Sequence, residues 1–230
     1  YTSIGGFSAV ATMDLIQSII MTCALCVITV FGIVQAGGLD VVVENAKALP
    51  GYLSFNQIHD VASGTAKPYS VLSIASMFAW GLGYFGMPHI LVRFMAIRDE
   101  NELKISRRIA SVWVVISMTV AVCIGMIGYS VSKAGRIPML EGSNSETIVV
   151  QISNLLSTYG VFAAIIAGLI LAGILAATMS TADSQLLASA SAFASDVYKP
   201  IIRKDKATET EMLWAGRYVV LAISVIAVMI

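Results

Sequence analysis

Oxygen-bearing side chains gather at one point of an otherwise apolar stretch, Ala176-Ala177-Thr178-Met179-Ser180-Thr181-Ala182-Asp183-Ser184. On a helix, positions 180, 181 and 184 share one side, and the backbone carbonyl of Ala177 lies one turn back. Hydroxyl and carbonyl oxygens of this kind suit a small, poorly polarisable cation such as sodium. The same groups also serve to bond carbonyls one turn back or to join helices in a bilayer. Spacing alone favours that plainer use.

A second cluster is Trp80-Gly81-Leu82-Gly83-Tyr84-Phe85-Gly86-Met87-Pro88-His89-Ile90. Trp80, Tyr84 and Pro88 recur every four positions and would share one face of a continuous helix. Three glycines and a proline weaken the backbone ladder there, and broken helix at membrane depth persists only where it is buried or lines a cavity. Free backbone groups could hold the charged ends of a zwitterion, with the faces of Trp80 and Tyr84 giving apolar contact and cation–π attraction. Glycines for close helix packing and aromatics as interfacial anchors explain the same spacing equally well.

Asp14 and Asp183 lie within or at the edge of apolar runs. A carboxylate at a helix centre costs roughly 2.5 to 3.5 kcal/mol on insertion scales, so an intramembrane acid reads first as functional. Asp14 is expected to touch a water-filled cation pathway, and Asp183 to cap or pair locally. Arg93 is expected to snorkel or to hold a helix end, and His89 to be a hydrogen-bonded structural residue. Cys23, Cys26 and Cys123 read as small apolar residues. No metalloprotease motif, phosphate-binding glycine loop or nucleophile elbow is present, which disfavours an enzyme.

The elements that must carry these residues follow from charge spacing. Of the 230 residues, 57% are hydrophobic and 12% charged, against roughly 25% charged in a soluble domain. Uncharged runs cover 25 residues (15–39), 25 (68–92), 24 (109–132) and 36 (147–182), each beyond the roughly 20 that cross a bilayer as a helix. The spacing predicts an all-α integral membrane protein with about five spans, near 7–34, 69–96, 109–129, 159–184 and 212–230. Intervening polar segments read as loops, and 35–67 as a long loop with room for a short surface helix. Lys and Arg balance Asp and Glu at 14 each, so no net field draws nucleic acid.

Loop charge sets the orientation. Arg98, Lys104, Arg107 and Arg108, like Lys199, Arg203, Lys204 and Lys206, outnumber the basic residues of the two other loops, which places the 97–108 and 196–211 segments in the cytoplasm. The chain opens on Tyr1-Thr2-Ser3 and stops inside an apolar run 13 residues past Arg217, so it is expected to be part of a longer membrane protein.

The string from Trp80 to Ala96, together with Ala176 to Leu187 and the Gly5-Gly6, Asp14 and Gln17 pattern, resembles the sodium/solute symporter family, and within it the members that carry proline. The resemblance spans essentially the whole chain. It implies a transporter core of two inverted five-helix repeats (5+5) in a bacterial inner membrane, taking up L-proline or a similar small zwitterion with sodium. By resemblance, Trp80, Tyr84 and Pro88 match solute-lining positions, Ala177, Ser180 and Thr181 match sodium ligands, and Asp14 matches an acidic residue of the sodium pathway. N-terminal helices outside this sequence would complete both sites. Met87 stands before Pro88 where the proline carriers often have Gln. The alternatives are a symporter for another small carboxylated solute and a transporter-like sensor module.

Overall fold

The computed structural model describes residues 2–84 and 86–229. A largely apolar composition with one charged residue, Asp14, gives α1 (Thr2–Ala36), which stays helical except at Gly6, where φ is 57° and ψ is −148°. Its end is chemical: the Gly38 amide donates to the Ile33 carbonyl (2.9 Å) and the Gly37 amide to that of Val34 (3.2 Å). Gly37 takes φ 96°, the left-handed conformation that closes such a cap without a Cβ clash.

Two features lie between the first two spans, and only the second was not expected. A short helix α2 (Leu39–Lys47) buries Val42 and Ala46. A hairpin of β1 (Gln57–Asp60) and β2 (Thr65–Pro68) pairs antiparallel, with Asp60 opposite Thr65 and Ile58 opposite Lys67. Its signal is weak in sequence because four-residue strands with mostly polar side chains show no period-two apolar face.

Helix α3 (Val71–Tyr84) starts on Ser70, whose hydroxyl accepts the Ser73 amide at 3.0 Å. Helix α4 (Pro88–Met95) restarts on Pro88, the residue best suited to a first helical position because its missing N–H has no partner there anyway. The glycine–proline cluster thus ends one helix and begins another. Helix α5 (Glu100–Lys133) begins on Asp99, whose carboxylate accepts the Asn101 amide at 3.1 Å. It starts well before the apolar run because charged residues 100–108 also favour helix, including the Arg98–Glu102 pair at its entry.

The segment after α5 is partly helical as well: α6 (Ile148–Ser157) buries Ile152, Ser153 and Leu156. Helix α7 (Val161–Ala192) passes into a π-helical stretch, Phe193–Ile202. Helix α8 (Glu209–Met229) opens with a reciprocal cap in which the Glu211 amide donates to Thr208 Oγ1 (3.2 Å) and the Thr208 amide to Glu211 Oε2 (3.0 Å).

Among the described residues, α1, α5, α7 with its continuation, and α8 are each long and apolar enough to cross a bilayer, and the α3/α4 pair makes a fifth if taken as one broken span. The chain divides into two compact units. One comprises Ile20–Tyr84 and Lys104–Ile174, packed around Ile28, Ile127, Val131, Ile152 and Ile170. There Tyr159 donates to Gln35 Oε1 (3.1 Å) and meets Phe31 edge-on at 5.6 Å. The other comprises Tyr1–Ile19, Phe85–Leu103 and Leu175–Ile230 and holds the polar residues described next.

Candidate functional site

Within that second unit, four polar side chains from three helices form one network. Ser180 of α7 donates its hydroxyl hydrogen to Asp14 Oδ1 of α1 at 2.7 Å. Arg93, in the last turn of α4, donates Nη2 to Asp14 Oδ2 at 2.6 Å and to Ser184 Oγ at 2.6 Å. Ser184 in turn donates to the Ser180 carbonyl at 2.9 Å. Asp14 therefore uses one oxygen on a serine and the other on a guanidinium, which offsets the cost of holding a carboxylate largely out of water.

The cation candidates show the two plainer uses considered for them, the back-bond and the bond between helices. Thr181 Oγ1 donates to the Ala177 carbonyl at 3.3 Å, the back-bond to the preceding turn. That bond consumes a hydrogen, not the oxygen's acceptor capacity: a hydroxyl carries one donor and two acceptor lone pairs, and a carbonyl has two. With Ser180 committed to Asp14 and Thr181 to Ala177, lone pairs on all three oxygens are what remains to offer a cation.

A cavity of about 240 Å³ adjoins the network, lined in part by Asp14, His89, Arg93 and Ser184. One water occupies about 30 Å³ of liquid, so the space admits several waters or a hydrated ion. His89 has its place here, as a cavity wall.

Two residues behave differently from expectation, and a third, for which none was stated, stands beside them. Arg93 turns to a carboxylate and a serine. Asp183 accepts from Thr2 Oγ1 at 2.6 Å, a partner 181 positions away. Gln17, one turn beyond Asp14, is 5% exposed and its Oε1 has no hydrogen-bond partner among the described residues. Its sequence signal was its place in the Gly5-Gly6, Asp14 and Gln17 pattern that carries the resemblance.

Trp80 and Tyr84 lie on α3 in the other unit, ring centroids 6.0 Å apart and planes tilted by 42°. They are 73% and 48% exposed, and α3 buries none of its residues. Pro88 sits at the first position of α4. The two aromatics are thus adjacent and uncovered, while Pro88 belongs to a separate helix. Outside the spans, His59 Nδ1 lies 3.0 Å from the Pro50 carbonyl, a partner that sequence had not named.

The model of the Sodium:solute symporter family matches residues 1–230. The chain is 39% identical over 231 residues to the high-affinity proline transporter PutP of Bacillus subtilis (strain 168), covering 100% of this chain and 45% of that one. It is 38% identical over 230 residues to the osmoregulated proline transporter OpuE of the same strain, with 100% and 43% covered. Against the sodium/proline symporter of Escherichia coli (strain K12), identity is 36% over 231 residues, covering 99% and 43%. No solved structure matches. The chain spans less than half the length of these relatives.

Proposed function

Because the chain belongs to the sodium:solute symporter family, a family of multi-span helical membrane proteins, we propose that it forms part of a secondary transporter in which inward sodium flow drives uptake of L-proline by alternating access. It is a multi-pass protein of the bacterial plasma membrane. The observation that carries the reading is the Ser180–Asp14 bond together with the Thr181–Ala177 back-bond, because it leaves hard oxygen lone pairs beside a carboxylate inside an apolar helix.

In this reading Ala177, Ser180 and Thr181 hold the transported sodium, and elements outside these 230 residues supply the remaining ligands. An ion leaving toward the cytoplasm passes Asp14. Bound sodium stabilises the state in which α7 is tied to those outside elements, and its differential affinity for that state shifts the population. Trp80, Tyr84 and Pro88 line the solute site. The adjacency and exposure of the two aromatics among the described residues support this, since their ring faces can give apolar and cation–π contact to a small zwitterion. The printed names of the relatives, proline transporters and sodium/proline symporters, support both cargo assignments.

The test is uptake of labelled proline by the whole protein in vesicles, with and without a sodium gradient, and with other amino acids and pantothenate as competitors. Accumulation driven by sodium and suppressed by unlabelled proline is the expected result. Equal accumulation in potassium-only buffer defeats the coupling, and preferential competition by another carboxylated solute reassigns the cargo.

A further inference from the structure

We infer that Arg93 is a tethered competitor of the transported cation: its guanidinium occupies Asp14 and Ser184 when no ion is near them, must withdraw when sodium arrives, and displaces the ion as it returns. This rests on the sodium-coupled reading above and adds the step by which the ion is released.

The geometry carries three parts of the inference. A single nitrogen, Nη2, lies 2.6 Å from both Asp14 Oδ2 and Ser184 Oγ, so one positive charge already sits between two of the oxygens that an ion passing Asp14 would meet. The carboxylate's other oxygen is 2.7 Å from Ser180 Oγ, which places the guanidinium one residue away from a proposed sodium ligand. Two unit positive charges about 4 Å apart in a partly buried site repel by well over thermal energy. Sodium and Arg93 therefore exclude each other at Asp14.

Withdrawal is feasible because the Arg93 side chain is 49% exposed while that of Asp14 is 17% exposed. The described residues therefore leave the Arg93 side chain open on one side, and the cavity of about 240 Å³ that it lines gives it somewhere to move. A residue serving only to snorkel would keep its charge in the headgroups. This one spends it on an internal acid.

The consequence reaches the solute. Arg93 lies five residues after Pro88 on the same eight-residue helix, α4, a separation of about 7.5 Å along the axis. When Arg93 lets go of α1 and α7, α4 loses its polar anchor to both, so occupancy of the ion path and mobility of a solute-lining element are linked through one side chain.

The experiment is sodium half-saturation of proline uptake by the whole transporter in vesicles, comparing wild type with Arg93→Gln, Arg93→Lys and Ser184→Ala. Removing a competitor that holds Asp14 most of the time raises the competent fraction, so Arg93→Gln should lower half-saturating sodium by about three- to tenfold. Maximal rate should fall together with it, because release loses its displacing charge. Arg93→Lys, which keeps a cation on the tether, should stay near wild type in half-saturation. In an Asp14→Asn background the effect of Arg93→Gln should vanish.

Unchanged or raised half-saturation in Arg93→Gln overturns the inference, because a purely structural anchor changes rate or abundance without strengthening sodium. If the Arg93 variants fail to reach the membrane, Ser184→Ala decides. It deletes one of two anchors and should lower half-saturation about twofold or more, and no change there also overturns the inference. A wild type whose uptake ignores sodium defeats the symport reading itself. A sodium-dependent wild type with an indifferent Arg93→Gln defeats only the competitor.

Discussion

Ser180 donates its hydroxyl hydrogen to Asp14 across 2.7 Å, joining positions 166 residues apart in the chain. Each of the two serves the other: the serine stabilises a carboxylate in an apolar helix by a hydrogen bond, and the acid fixes the hydroxyl so that its lone pairs point away from the bond.

Ser180→Ala removes a proposed sodium ligand and half of the pairing of Asp14. A buried hydrogen bond to a charged group is worth about 1.5–3 kcal/mol, so half-saturating sodium in proline uptake should rise at least about tenfold. Thr181→Ala leaves Asp14 untouched and should weaken sodium less. If both variants keep the sodium dependence of the wild type, the ion is not held at these oxygens.

Trp80→Ala should separate solute from ion. Trp80 and Tyr84 lie with ring centroids 6.0 Å apart on α3, while the sodium candidates are on α7. Loss of the indole face should raise the proline KM about tenfold through lost aromatic and cation–π contact, with half-saturating sodium changed by about twofold or less. An equal loss in both would place Trp80 in the scaffold.

The β1–β2 hairpin should respond to acid below the ordinary carboxylate range. The Lys67 ammonium, by a hydrogen bond, and then the Ser63 hydroxyl hold the Asp60 carboxyl at about 2, down from 3.8. A depressed folded-state value means that the ionised form stabilises the hairpin. That contribution is complete above about pH 5 and is lost as pH falls through the folded value. Carbon NMR of the Asp60 carboxyl should show a midpoint near 2, and Lys67→Ala should move it upward. A wild-type midpoint at the ordinary value would falsify the pairing.

Two glycines one turn apart on α5 should differ. A Cβ at Gly128 would collide with Cγ1 and Cδ1 of Ile148, whereas one at Gly125 meets nothing within 4 Å. Gly128→Ala should destabilise by about 1–3 kcal/mol through overpacking, and Gly125→Ala should be neutral or stabilising by up to about 1 kcal/mol from helix propensity. Thermal unfolding in detergent distinguishes them, and equal shifts would refute the α5–α6 packing.

What could be read along the chain was whatever recurs within one or two turns. The oxygen cluster at Ser180, Thr181 and Ser184 was legible because i, i+1 and i+4 neighbours share a helix side regardless of the rest of the fold. The break between Tyr84 and Pro88 was legible because proline and glycine act on their own backbone. The hairpin was not, since strands as short as Gln57–Asp60 show no apolar alternation. Nor was the pairing of Asp183 with Thr2, for which no local rule exists.

Charge spacing by itself therefore determined that this is a membrane protein of several helices and where its oxygen donors lie, because hydrophobic runs and helical periodicity are local properties of the chain. Only the tertiary structure decided that Arg93, an interfacial residue by position, reaches Asp14 from 79 residues away. A long side chain at a helix end can turn to lipid headgroups or to an internal acid. Which it does depends on the helix packed beside it, and that neighbour is set by the fold.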